Sequence, residues 1–421
     1  MIRKEILDNG LTILTESMPH VRSVSLGVWL RTGSRHESAR VNGISHFIEH
    51  LVFKGTERRS AREIALVIDS IGGQVDAFTG KESTCFYTKV LDSHLPVAMD
   101  LLADIVLRPR FDPADIEKER RVIYEEMRMV EDSPEEVLFD LFSERWWKGH
   151  PLARPIQGTR RSVGSLTPAR LARHFKDAYV PGNMVITAAG NLKHAQVHRS
   201  LRRAFGRLRR PRRAAPADGA APRSRPMLVR REKKSLEQVH ICLGVPTFPS
   251  TSARRYALTL LNAVLGGTMS SRLWQRIREG SGLAYTVYSG VNAFNDCGFL
   301  MVYAATSPSS GERVIRQICE ELRRLKDEPI SDQELQVAKD NLKGSLMLSL
   351  ESTSARMSNL ARAEIAFGRQ FSNDEVLDAI EKITPAQVRS VARDVLAPQR
   401  AGLVCLGRVS RFRTRRSDLS F

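Results

Sequence analysis

His46, Glu49 and His50 are the residues of this chain whose types and spacing best suit chemistry. On a helix, histidines four positions apart stack on one face, so both imidazoles can reach one metal ion. Glu49 falls between them, within reach of a water on that ion. Two neutral nitrogen ligands, a base and an open coordination position are what metal-assisted hydrolysis requires. The order H-x-x-E-H is one of the patterns that supply them. The plainer alternative is a core helix with two satisfied histidines, and a motif alone does not decide between the two.

The elements that must hold these groups can be read around them. At about 100° per residue, His46, Glu49 and His50 span one side of a helix, and Phe47, Ile48, Leu51 and Val52 span the other. Asn42-Gly43 before it is a turn signal. A catalytic zinc usually takes three protein ligands and a water, so one ligand remains to be found. Asp112-Pro113 starts a second helix, a cap followed by proline at the first helical position. It carries Glu117, Glu119, Glu125 and Glu126 in a run to Met129. Glu119 and Glu126 share a face with Val122 and Ile123 near it, whereas Glu117 and Glu125 read as exposed partners of nearby arginines. Spacing leaves both Glu119 and Glu126 open as the third ligand.

The chain also repeats itself. At an offset of 217, Leu26-Gly27-Val28 meets Leu243-Gly244-Val245, and Thr167-Pro168-Ala169 meets Thr384-Pro385-Ala386. Asp177 meets Asp394, Pro181 meets Pro398, and Gly190 meets Gly407. A period this long is a duplicated domain rather than a solenoid. Each half opens on an alternating strand (24–30; 239–245) and continues through helices to a strand pair (73–78 and 84–91; 285–293 and 298–305). A long helical stretch and a last short strand (184–189; 402–406) close it. This order predicts an α+β fold of two homologous sandwich domains, each a mostly antiparallel sheet with helices on one face. The expected domains are 1–210 and 233–421, joined by a basic Pro/Ala/Arg-rich linker at 211–232. At the repeat offset His46, Glu49 and His50 fall on Ala263, Gly266 and Gly267, and no histidine follows His240. Only the first half is expected to hold metal.

Composition narrows the remaining classes. The 421 residues, 42% hydrophobic and 27% charged, suit a globular chain of two or three domains. No run approaches a membrane span, and no leader segment is recognisable, which sets a cytoplasmic expectation. Cys85, Cys242, Cys297, Cys319 and Cys405 are scattered, without C-x-x-C, so neither a disulfide framework nor a zinc ribbon is expected. The net charge of +18 is local: residues 202–234 carry +11 and the tail 408–421 carries +4. That pattern reads as a solvated linker and tail. With only Phe205 and Phe412 near the basic runs, no specific nucleic-acid binding is expected.

His46-Phe47-Ile48-Glu49-His50-Leu51-Val52-Phe53-Lys54-Gly55-Thr56, followed by Glu119-Arg120-Arg121-Val122-Ile123-Tyr124-Glu125-Glu126, resembles the M16 (pitrilysin/insulinase) zinc metallopeptidases. The likeness is greatest to bacterial members similar to the mitochondrial processing peptidase β subunit, and it runs through Gly158-Thr159 into the second half. The resemblance implies the M16/LuxS-like fold and one Zn²⁺ per chain, held by His46, His50 and Glu126. It also implies that Glu49 is the general base and that Glu119 steadies the site. Ser271-Arg272-Leu273 leading to Arg278-Glu279-Gly280-Ser281-Gly282-Leu283-Ala284-Tyr285 resembles the segment whose arginine and tyrosine contact substrate, a role carried to Arg278 and Tyr285. Asp76-Ala77-Phe78-Thr79 resembles the strand that pairs with substrate backbone, although the family often has asparagine where Asp76 stands. The implied activity is endopeptidase cleavage of extended peptides within a chamber. The implied partner is a second chain, in a homodimer or in a heterodimer with an M16-like relative. The rival implication is a non-catalytic M16-like subunit that binds peptides.

Overall fold

The computed structural model describes residues 2–208 and 219–421. In chain order the strands are β1 (Ile2–Ile6), β2 (Thr12–Ser17), β3 (Ser23–Leu30), β4 (Gln74–Thr79), β5 (Thr84–Leu91), β6 (Met184–Gly190), β7 (Met227–Glu232), β8 (Val239–Thr247), β9 (Ala284–Ala293), β10 (Gly298–Thr306) and β11 (Gly402–Gly407). The helices are α1 (Ile44–Leu51), α2 (Ala61–Ser70), α3 (Leu95–Leu107), α4 (Pro113–Asp132), α5 (Pro134–Trp146), α6 (Arg160–Gly164), α7 (Pro168–Ala178), α8 (His194–Phe205), α9 (Arg255–Asn262), α10 (Gly311–Asp327), α11 (Asp332–Ser349), α12 (Thr353–Phe367), α13 (Asn373–Glu381) and α14 (Pro385–Val395). Two π-helical segments, Ala263–Gly267 and Trp274–Gly280, lie in the second half. Among the described residues no helix is long and apolar enough to cross a membrane.

The chain forms two compact units. The first comprises residues up to Arg128, the stretch from Arg154 to Gly219, and Met347–Gln370. Its sheet runs β1-β2-β6-β3-β5-β4, antiparallel except for the β2–β6 pair. The period-2 pattern of β3 sorts its side chains cleanly. Val24, Leu26, Val28 and Leu30 join the core beneath α1, α3, α4, α7 and α8. Trp29 points to the opposite face, where Met357, Leu360 and Ala361 of α12 cover it.

The second unit comprises Met129–Ala153, Ala220–Leu346 and Phe371–Phe421. Its sheet runs β7-β11-β8-β10-β9, with β7–β11 the parallel pair. Val239, Ile241, Leu243 and Val245 of β8 face the core under α9, α10 and α14. Cys242 and the alternate residues of β10 pack on Leu138, Phe142 and Trp146 of α5.

The units are therefore not continuous halves. Each sheet has the expected helical layer on one face, and its other face is covered by a helix from the opposite half of the sequence. The repeated Leu-Gly-Val triplets mark where this happens. A Cβ at Gly27 would collide with Met357 Sδ, and one at Gly244 with Phe142. Both helices sit too close to the sheet for any side chain there.

Two basic stretches are more ordered than their charge predicts. Of the linker expected at 211–232, residues 211–218 lie outside the described residues, but Met227–Glu232 form β7. Charged residues in its second half suit an edge strand, and its hydrogen bonds come from a partner remote in sequence. The tail 408–421 is not a solvated extension. Phe412, Leu419 and Phe421 are buried in the second unit's core, and the Arg413 and Thr414 amides donate to Glu312. Four apolar residues spaced among arginines, these three and Val409, fix the tail, leaving the charges at the surface.

Candidate metal centre

The eight residues of α1 form an amphipathic wedge. Ile44, Phe47, Ile48 and Leu51 are fully buried and pin one side to the core of the first unit. His46, Glu49 and His50 occupy the other, and the two imidazole centroids lie 4.7 Å apart with planes tilted by 60°. Helix α4 comes from a separate start: the Ala114 amide donates to Asp112 Oδ1 at 2.8 Å, and Pro113 follows the cap. Its buried stripe is Ile116, Glu119, Ile123 and Met127. Val122, expected near that face, is exposed instead. Glu117 and Glu125 pair with Arg120 and Arg128 at the surface.

The two candidate ligand carboxylates take different places. Glu126 Oε2 lies 3.7 Å from His46 Nε2, and Glu126 Oε1 lies 3.4 Å from His50 Nε2. One ligand atom from each of the three residues falls within 4.8 Å of the others. A tetrahedral ion with ligands at roughly 2.1 Å separates them by roughly 3.4 Å, so the spacing suits zinc. Glu119 sits to the side. Its Oε2 is 3.3 Å from His50 Nδ1, and its Oε1 is 2.9 Å from Lys54 Nζ. A carboxylate on the far ring nitrogen fixes the imidazole's orientation and leaves Nε2 for a metal.

The donor set is unsatisfied as protein alone. His46 Nδ1, Glu49 Oε2, Thr79 Oγ1 and Glu126 Oε2 are buried without a hydrogen-bond partner. Such a concentration of orphaned polar atoms is costly unless an ion or water completes it. Burial, reinforced by the charge of His50, pulls the pKa of His46 down to about 4, so its ring is neutral at pH 7, the form that ligates a metal. Burial pushes Glu49 up. Thr79 and His50 oppose the rise, and the charges of Asp76 and Glu126 add to it by less. A carboxylate raised toward neutrality is a better proton acceptor and donor than an ordinary surface one.

Asp76, Ala77, Phe78 and Thr79 lie on β4, the edge strand beside α1, which pairs with β5 on one side only. Phe78 is exposed and packs edge-on against Trp29, with ring centroids 5.6 Å apart. Asp76 Oδ1 accepts from the Ala77 amide at 2.8 Å, and its Oδ2 accepts from the Tyr87 hydroxyl at 3.2 Å. Arg278 and Tyr285 belong to the second unit. There the guanidinium sits 4.0 Å from the Trp274 ring centroid and 4.6 Å from that of Tyr285, which is 76% exposed. Lys54 and Thr79 enter the site without having been singled out for these contacts. Lys54 stands one helical turn past His50, a spacing that could have flagged it.

A family model described as insulinase, peptidase family M16, matches residues 12–160. One described as the peptidase M16 inactive domain matches residues 165–342. An uncharacterized zinc protease of Streptomyces coelicolor is 41% identical over 415 residues, covering 96% of this chain and 89% of its own. The uncharacterized zinc protease YmxG of Bacillus subtilis is 41% identical over 395 residues, covering 94% and 96%. Among solved structures, a protease from Helicobacter pylori superposes with a TM-score of 0.92 at 22% identity, covering 96% of this chain and 99% of that one. A structure from Pseudomonas fluorescens, titled peptidase M16 inactive domain, superposes with a TM-score of 0.89 at 21% identity, covering 96% and 98%.

Proposed function

The chain belongs to the insulinase family of zinc proteases, peptidase family M16, and from that premise we propose that it is a zinc-dependent endopeptidase acting on extended peptides. The observation that carries this reading is the convergence of His46, His50 and Glu126 within 4.8 Å of one another, with Glu49 beside them on α1. His46, His50 and Glu126 would hold one ion per chain, and Glu119 would keep the His50 ring in its ligating orientation. Bound zinc supplies Lewis acidity toward a carbonyl and acidifies water to a pKa near roughly 7.

The protein's own groups do the rest. Glu49 removes a proton from the attacking water and returns it to the amine leaving group, so one water is consumed for each peptide bond broken. The free edge of β4 at Ala77 and Phe78 offers main-chain hydrogen bonds to an extended substrate, which favours unstructured peptides over folded proteins. The resemblance gives Tyr285 and Arg278 the role of hydrogen-bonding substrate, a contribution of a few kcal/mol where charge develops. It also implies a dimer, with itself or with an M16-like chain, and sedimentation of the purified protein would show it. A non-catalytic peptide-binding subunit would tolerate a damaged donor set, and the presence of His46, Glu49, His50 and Glu126 together supports the catalytic reading.

The test is cleavage of a quenched peptide by zinc-loaded protein, wild type beside Glu49→Gln. Loss of turnover with zinc retained supports the mechanism, and equal turnover by the two would remove it.

A further inference from the structure

Helix α1 is not capped by its own N-terminal residue, and like α4, where Asp112 accepts the Ala114 amide, it takes a carboxylate as its cap. Six helices (α2, α6, α7, α12, α13 and α14) begin on a serine or threonine whose neutral side chain accepts an amide of the first turn. Helix α1 follows Gly43, and no side chain of its own caps it. In its place Glu37, only 3% exposed, reaches in from the preceding loop. Glu37 Oε2 accepts from the Gly43 amide at 2.7 Å and from Asn42 Nδ2 at 3.0 Å, while Oε1 accepts from the Ser45 amide at 2.9 Å. Burial pushes the Glu37 carboxyl up, and the donors on both of its oxygens (Ser45, Asn42 and Gly43) act against that rise and favour the ionised form.

A charge in this place has a consequence for the metal. The first turn of a helix carries the equivalent of about half a positive charge, which favours anions and opposes cations. His46 is the third residue of α1. Its metal ligand therefore projects from the end of the helix least hospitable to a dication. A neutral serine cap would satisfy the amides and leave that positive potential in place. A buried carboxylate satisfies them and cancels it.

We propose that Glu37 is a positioning and charge-compensating residue for the metal centre: its carboxylate offsets the positive end of α1 and so strengthens divalent-cation binding by His46, His50 and Glu126. This rests on the reading of those three residues as the metal ligands, and it adds a residue that touches neither metal nor substrate.

The experiment is competition of the full chain with a chromogenic chelator for Zn²⁺, giving Kd for wild type, Glu37→Gln, Glu37→Asp and Asn42→Ala. Glu37→Gln removes the charge from a side chain of the same shape, and a roughly tenfold weaker Kd is expected, as for other outer-sphere changes. Glu37→Asp keeps the charge, and Asn42→Ala removes one hydrogen bond to it. Both are expected to stay within about threefold of wild type, whatever they cost in thermal stability. A Kd for Glu37→Gln within twofold of wild type overturns the proposal. So does a tenfold loss in Asn42→Ala or Glu37→Asp, which would assign the effect to cap geometry instead of charge. Should Glu37→Gln not fold, Glu37→Ser, a neutral acceptor for the same amides, is expected to weaken Kd by a similar factor, and a value within twofold of wild type overturns the proposal. Absence of zinc binding by the wild type would defeat the metal reading itself, and this inference with it.

Discussion

The two halves of the chain share a frame and differ in what that frame leaves room for. The counterpart of Glu49 is Gly266, and a Cβ there would lie 2.7 Å from the Ser289 amide of β9. At the repeat offset the second half therefore has no space for a side chain where the first carries Glu49. His46 is matched by Ala263, which with Val264, Val337 and Ala338 lines a cavity of about 260 Å³. Glu126 is matched by Lys343, whose ammonium is bonded to Glu381 at 2.7 Å. At the repeat offset the second half thus lacks both imidazoles, has no room for a carboxylate at the Glu49 position and carries a lysine at the Glu126 position. Elsewhere the frames agree closely. Thr167 caps α7 and Thr384 caps α14, each followed by proline at the first helical position of an 11-residue helix. A duplicated fold keeps its caps and core contacts because both copies must fold, whereas a donor set persists only where its cost in buried polar groups is returned as function.

This contrast can be broken most forcefully at Glu49. Glu49→Gln is expected to lower kcat by 10²–10⁴-fold, with zinc content unchanged by atomic absorption. Because it also removes a buried, unpartnered charge, the metal-free variant should unfold at a temperature no lower than wild type. Filling the counterpart position should do the reverse. Gly266→Ala is expected to cost roughly 1–3 kcal/mol in chemical denaturation through overpacking against Ser289, without altering zinc affinity.

Acid should separate the halves next. Burial holds His46 and His174 down at about 4, against an ordinary value of 6.5. Between those limits the unfolded chain binds more protons than the folded one, so stability falls as pH drops from 6.5 toward 4. Glu49, raised above 4.5, contributes in the opposite sense. Each histidine is expected to contribute of order 1–2 kcal/mol after allowance for solvent screening. Hydrogen exchange of the metal-free protein should then show α1 and α7 opening before α14, which carries no histidine, as pH is lowered, and His174→Gln should flatten the trend. The smallest effect is a symmetry. Thr167→Ala and Thr384→Ala should each cost about 1 kcal/mol, and unequal losses in urea titrations would show that the two caps are not equivalent.

Much of this was legible in the sequence, and what was not has a common cause. The i,i+4 histidines, the glutamate between them and the apolar face opposite are local periodicities, and α1 follows them. The offset of 217 matched strands and caps because identical local geometry needs identical residues. Spacing on α4 could not choose between Glu119 and Glu126, since both lie toward α1. Their roles diverge through contacts with His50, one at Nδ1 and the other at Nε2. Strand β7 is hidden because its partner β11 lies far along the chain, whereas the hairpin β1–β2 is local, and its Asn9-Gly10 turn is the signal that marks it. The exchange of α5 and α12 was equally hidden. An amphipathic pattern states that a helix buries one side, not which sheet receives it. The tail misleads through charge: its five arginines outnumber the four apolar residues that anchor it.

The most direct test of the metal centre is anomalous scattering at the zinc edge from crystals of the zinc-loaded protein. One peak per chain is expected, at coordination distance, roughly 2.0–2.2 Å, from His46 Nε2, His50 Nε2 and a Glu126 oxygen. A peak held by other residues, or none at this position in protein that cleaves peptides, would contradict the account.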